Sequence, residues 1–338
     1  MDDDLKHLAT TQLDLITHTQ ALQSGMTPSA IRHKLRSKRW TRILPGVYAI
    51  FNGQLTPAHH VYAASMYGGT SARITGARAC QLLGLRYVPD DEGVQLLARP
   101  EDRRPQAGFV RIIVTTRLPG YQLWRPSPAE ASAFVKPVRV ASVARAVMDT
   151  SRTVGLITAR TIPRRANGQP ILTVPGADVA YRKALQDVRA LTCEAIQRGL
   201  TTVDALADEL EHGPRRGSAL ARRAVDDVSA GCRSAPECEL RDLIASSEIL
   251  PTPTYNGPLP GLPNLVPDAY FSIRRLIVEV DSVEWHRFGD MYEKTEQRRA
   301  LLASHGWLVI PVSPQRLRAC PHDVLAEIEA AYLSERAA

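Results

Sequence analysis

At 338 residues the chain exceeds one ordinary core, and two or three domains are expected. A composition 44% hydrophobic and 23% charged, with no apolar run of bilayer length, excludes a membrane span and a largely disordered chain. The net charge of +7 suits a polyanionic partner, and the start Met1-Asp2-Asp3-Asp4 lacks the basic-then-apolar pattern of a secretory signal, so a cytoplasmic protein is expected.

The positive charge is concentrated near the amino end. From Leu15 to Pro89 there is no Asp or Glu, while nine Lys and Arg residues fall there, six of them between Arg32 and Arg42. Thr17 can cap a helix running to Ser24, Gly25 supplies a turn, and Thr27-Pro28 gives an N-cap with proline at the first helical position of a second helix. In that helix Ile31 and Leu35 face a core, which leaves Arg32, His33, Arg36 and Arg39 on other faces. Two short strand-like runs, 40–44 and 47–50, joined by Pro45-Gly46, would form a hairpin.

The run LITHTQALQSGMTPSAIRHKLRSKRWTRILPGVYAI resembles the amino-terminal winged helix of AbiEi-type antitoxins. That resemblance implies DNA binding, with Ser29, Arg32, His33 and Arg36 at the groove and Lys38, Arg39 and Arg42 on phosphates. A solvated basic helix packed on a partner domain is the plainer alternative.

The middle of the chain mixes helical signals at 59–67 and 75–83 with strand-like runs at 94–98 and 110–115, as in a small α+β unit. A helix beginning near Ser142 carries Val143, Ala146 and Val147 on one stripe, with Arg145 and Asp149 expected as a surface pair. A Pro-, Gly- and Arg-rich stretch at 161–178 reads as an exposed loop, and 181–230 as a helical connector in which Thr202 starts a helix ended by Gly213-Pro214. Five scattered cysteines without Cys-x-x-Cys spacing indicate neither a disulfide framework nor a zinc site.

The densest chemistry lies in NLVPDAYFSIRRLIVEVDSVEWH. Strand-like runs 265–271 and 275–281 flank a short turn, and a loop centred between Ile273 and Arg274 sets Asp268 opposite Glu279. The pleat sends Leu276, Val278 and Val280 to a core and Glu279 with Asp281 to the other face. Carboxylates so placed repel unless a proton or cation relieves them, and an all-oxygen set suits Mg²⁺, with Mn²⁺ as the alternative. A solvated acidic sheet face is the plainer reading.

The same stretch followed by QRRALLASHGWLVIPVS is similar to the family related to very-short-patch-repair endonucleases, a branch of the PD-(D/E)XK superfamily. Its elements are Pro267-Asp268, Glu279-Val280-Asp281, His286, Arg298 with Leu302, and Gly306-Trp307, and SAPECELR matches its first-helix motif through Glu237 and Arg241. The resemblance implies Asp268, Glu279 and Asp281 as metal ligands, Glu237 as an accessory acid, His286 as a proton shuttle and Arg298 as a phosphate-stabilising cation. Two positions depart from it: Asp281 stands where the superfamily has lysine, and Thr295 where the family commonly has aspartate.

Together these readings describe an α/β and α+β multidomain chain of the kind seen in actinobacterial-type proteins. A winged helix-turn-helix is expected over 1–54, a small α+β unit over 55–150, a helical connector over 151–233 and a restriction-endonuclease-like domain over 234–338. A Mg²⁺-dependent DNA endonuclease is the leading function, with DNA as partner, no membrane, and a toxin or defence-system partner or a homodimer left open. An inactive antitoxin-like repressor is the alternative.

Overall fold

The computed structural model describes residues 3–127, 134–162, 170–173, 176–281 and 289–334, side chains of 289–295 excepted. Two compact units emerge, Met1–Arg222 and Arg223–Ala338. The segments expected at 1–54 and 55–150 fall in the first unit, as does most of 151–233, and the segment from 234 falls in the second.

In the first unit α1 (Asp3–Thr10) precedes β1 (Leu15–Thr17), α2 (His18–Gln23), α3 (Pro28–Arg36) and the hairpin of β2 (Thr41–Leu44) and β3 (Val47–Ala49). The Thr17 hydroxyl accepts from Gln20 N while the Gln20 side chain accepts from Thr17 N, a reciprocal cap that fixes the start of α2. Thr27 caps α3 one way, its hydroxyl accepting from Ala30 N, with Pro28 in the first turn. Gly46, at φ 73°, makes the hairpin turn. β1 adds a strand that the sequence did not announce, giving the order β1-β3-β2. Leu5, Ile16, Ile31, Trp40 and Tyr48 close a small core beneath them.

The unit continues through α4 (Pro57–Gly68), β4 (Arg73–Thr75), α5 (Gly76–Leu82), β5 (Val94–Ala98), β6 (Val110–Val114), β7 (Tyr121–Trp124) and β8 (Val138–Ala141). Then follow α6 (Val143–Thr161), α7 (Ala177–Gln197), α8 (Val203–Glu211) and α9 (Ala219–Ser229), the last crossing into the second unit. The five strands form a mixed sheet in the order β6-β5-β4-β8-β7. Of these, β5 and β6 stand where the sequence placed strands, whereas β4, β7 and β8 are too short to show alternation.

Arg145 and Asp149 correct the expectation of a surface pair, because α6 packs against α5, α7 and α8 and both residues are only 4% exposed. The Arg145 Nε donates to both Asp149 oxygens at 3.0 and 2.8 Å, and Arg152 Nη1 reaches Asp149 at 3.3 Å. Thr75 Oγ1 on β4 donates to Asp149 at 2.7 Å, and Glu209 on α8 pairs with Arg117 at 3.1 Å and Arg145 at 3.6 Å. An isolated charge at this depth would cost several kcal/mol, so the network has to be nearly complete for α6 to sit there.

The second unit contains α10 (Ala235–Ala245), β9 (Thr254–Tyr255), β10 (Ala269–Phe271), β11 (Leu276–Val280), α11 (Gly289–Ser304), β12 (Leu308–Val312), α12 (Pro314–Ala319) and α13 (Pro321–Leu333). Its sheet runs β12-β11-β10-β9, with β12 parallel to β11 and the other pairs antiparallel. Leu276 and Val278 pack under α10, α12 and α13 with Leu240, Ile244, Leu317, Val324 and Ile328. On the opposite face Ile277 meets Tyr270, Leu259, Leu302 and Trp307. Leu301 is 42% exposed, because its neighbour Leu302 takes the inward position on α11.

All five cysteines are free, and four of them are buried. Among the described residues no helix is long and apolar enough to cross a membrane.

Candidate active site and basic surface

The hairpin pairs Ala269 with Val278, Tyr270 with Ile277 and Phe271 with Leu276, the register the turn position requires. Continued by one residue, it sets Asp268 against Glu279. The first strand begins only at Ala269, since 259–265 is folded into a turn closed by Leu259 N–H donating to Leu265 O at 3.0 Å.

Asp268 Oδ2 accepts from Val280 N at 2.7 Å. Burial pushes its carboxyl up to about 6; the bond from Val280 opposes this, the charges of Glu237 and Glu279 add to it, and Arg298 opposes it.

Glu279 and Arg298 bring β11 and α11 together, Arg298 Nη2 donating to Glu279 Oε1 at 2.7 Å. The next arginine, Arg299, donates to Asp281 Oδ2 at 2.7 Å and to Glu296 at 3.1 Å. Two consecutive arginines therefore hold the two acids of Glu279-Val280-Asp281. Asp281 lies just past the end of β11, where its N–H donates to Val312 O at 3.0 Å, and its side chain is committed to Arg299 rather than shared with Asp268 and Glu279. Among the described residues no group of three or more His, Cys, Asp and Glu side chains is placed to hold a metal ion. The three carboxylates expected as ligands therefore do not converge as one such group.

Glu237 enters from the first turn of α10. Its carboxylate accepts from Arg233 N at 3.0 Å and Ser234 Oγ at 2.9 Å, so it serves as part of the helix cap while its charge still acts on Asp268. Asn256, which the sequence reading did not single out, donates from Nδ2 to Glu237 Oε2 at 3.1 Å, and from its backbone N–H to Asp268 O at 3.2 Å. Its φ of 48° is one that asparagine tolerates, and Asn256-Gly257 is a turn dipeptide that could have flagged it. Arg241 stacks on Tyr255 at 4.8 Å, and Glu239 turns away to Arg318 at 3.0 Å. His286 and the side chain of Thr295 lie outside the described residues.

The oxygen-only pair of Asp268 and Glu279 is compatible with a hard divalent cation. Asp268 uses Oδ2 on Val280 N, and among the described residues Oδ1 accepts no hydrogen bond.

In the first unit Ser29, Arg32, His33, Arg36, Lys38, Arg39 and Arg42 are all exposed. Ser29 shares a hydroxyl hydrogen bond with Thr27 at 2.9 Å. Arg36, Lys38 and Arg42 line an open pocket of about 530 Å³ whose floor includes Leu35 and Trp40.

No protein-family model matches the chain, and no curated protein does. A solved structure, that of the RV2827C protein from Mycobacterium tuberculosis, is similar at 17% identity and a TM-score of 0.38, over 74% of this chain and 82% of that one. A likeness so loose carries no argument. At the level of class the chain is a mixed α and β protein with three sheets among the described residues.

Proposed function

We propose that this is a DNA-binding, Mg²⁺-dependent endonuclease-like protein that hydrolyses phosphodiesters, serving in defence against phage or mobile elements or in DNA repair. The first 54 residues are read as a winged helix-turn-helix, and the unit ending the chain as a PD-(D/E)XK-type domain related to the very-short-patch-repair family. One observation carries the catalytic reading: Asp268 is half-buried beside Glu279 and Glu237, and burial together with those two acids pushes its carboxyl up to about 6, a cost that a bound cation would offset. Asp268 and Glu279 are the residues that would hold Mg²⁺ or Mn²⁺. Such an ion polarises a phosphodiester and lowers the pKa of attacking water. Arg298, a fixed cation 2.7 Å from Glu279, is placed to stabilise charge on a phosphate. Asn256 and Glu237 orient the acidic cluster through the 3.1 Å bond between them.

A second reading, a catalytically inactive antitoxin-like repressor, is favoured by the ion pairs Glu279–Arg298 and Asp281–Arg299, which already give two of the three acids a cation. Purified protein incubated with plasmid and Mg²⁺ or Mn²⁺ separates the two. Cleavage that disappears in both Asp268→Ala and Glu279→Ala is expected. An uncut plasmid with retained duplex binding would leave the repressor.

A further inference from the structure

We infer that Arg73, Arg139 and Tyr121 form a binding site for a phosphate-bearing anion on the five-stranded sheet of the first unit, a different sheet from that of the basic hairpin. β4 and β8 run parallel with Ile74 opposite Val140, so Arg73 and Arg139, one residue before each, stand side by side on the same face. Neighbouring strands lie about 4.8 Å apart, and like charges paired across them are destabilising unless something offsets them. Tyr121, on the other side of β8, supplies part of that offset, its ring centroid lying 5.0 Å from each guanidinium carbon.

The remainder is not met from within the unit. Arg73 Nε and Nη1 are buried and make no hydrogen bond among the described residues, and Arg139 is bonded to the carbonyl of Thr70. Burial and then the charge of Arg139, with Arg99 contributing, hold the Arg73 guanidinium below its ordinary value. The acids near this end of the sheet are engaged elsewhere: Glu101 lies 3.7 Å from Arg99, and Asp102 accepts from Ser71. Arg117, Arg145 and Arg152 of the same unit each face a carboxylate, whereas Arg78 Nε shares with Arg73 the lack of a hydrogen-bond partner among the described residues. Two adjacent guanidinium groups to which no acid among the described residues is paired, beside a tyrosine 46% exposed, match a polyoxyanion in charge. This site does not depend on the nuclease reading.

The test is calorimetric titration of the full chain with inorganic pyrophosphate and, separately, with a short single-stranded deoxyoligonucleotide. Wild type, Arg139→Gln, Tyr121→Leu and, as a control on α7, Arg182→Ala are compared, with circular dichroism confirming that each is folded. Arg139→Gln is expected to weaken pyrophosphate at least about tenfold while Arg182→Ala leaves it unchanged. Parallel weakening of the oligonucleotide identifies the phosphate as that of a nucleic-acid backbone, and an effect on pyrophosphate alone identifies a free phosphorylated ligand. Pyrophosphate binding that is absent in wild type, or equal in wild type, Arg139→Gln and Tyr121→Leu, would overturn the proposal.

Discussion

Glu279 on β11 and Arg298 on α11 meet at 2.7 Å, and the next arginine repeats the contact with Asp281 at the same distance. The helix thus reads the strand's acidic pair one residue at a time. Asp268, facing Glu279 from just before the neighbouring strand, is left, among the described residues, with the amide of Val280 and the field of Arg298.

The pH dependence of stability follows from that imbalance. Asp268 titrates near 6 in the folded chain against an ordinary 3.8, so between these values the folded state holds more protons than the unfolded state. Stability therefore falls as pH rises through this window, and the penalty is complete above about 6. Asp268→Asn cannot ionise and keeps an acceptor for Val280 N. In EDTA it is expected to be more stable than wild type at pH 8, by up to about 3 kcal/mol, with the gap closing by pH 4. Thermal melts across that range measure it, and a variant no more stable than wild type at pH 8 contradicts the assignment.

Removing the cation reverses the effect. Arg298→Ala leaves Glu279 without its 2.7 Å partner and Asp268 without the charge that holds its pKa down. A loss of about 1 to 2 kcal/mol is expected at pH 8 and less at pH 5, the pair being partly exposed. If Asp268 and Glu279 accept a divalent cation, added Mg²⁺ should raise the melting temperature of Arg298→Ala more than that of wild type. Equal responses would count against a cation site there.

The buried network of the first unit gives a larger number. Asp149→Ala strands Arg145 and Arg152 in a region where each is only 4 to 5% exposed, and should cost about 3 to 5 kcal/mol in urea denaturation. Thr75→Val removes a single donor to Asp149, and about 1 kcal/mol is expected. Were the two losses alike, Asp149 would not be the hub.

The proposed duplex binding by the basic hairpin surface is tested through its salt dependence. Each phosphate contact contributes close to one unit to the slope of log affinity against log salt. Lys38→Ala and Arg39→Ala should each flatten that slope by about 1 and weaken all sequences alike. A slope unaffected by either change would take both residues off the phosphates.

Several of these features were legible in the chain. Thr17 and Thr27 name the helices they cap because a short hydroxyl acts within three residues of itself, and Gly46 names its turn because the backbone there needs a positive φ. The hairpin register, and with it the opposition of Asp268 and Glu279, followed from where the turn residues stand. Local spacing also set Arg32, His33, Arg36 and Arg39 away from the core, since Ile31 could face only inward, and all four are exposed.

What sequence alone determined was of short range: caps, turns, the faces of a strand and the sign of a surface. The tertiary fold decided which charges are paired. Arg145 and Asp149 look like any solvent-facing i,i+4 pair until three helices close over them, and Asp281 looks like a ligand until Arg299 arrives from a helix eighteen residues on. Arg73 and Arg139 lie far apart in the chain and became neighbours only through a parallel strand pairing that neither segment encodes by itself. The physical reason is that burial and Coulomb fields depend on distance in space, whereas pattern along a chain reports only the contacts a few residues can make with one another.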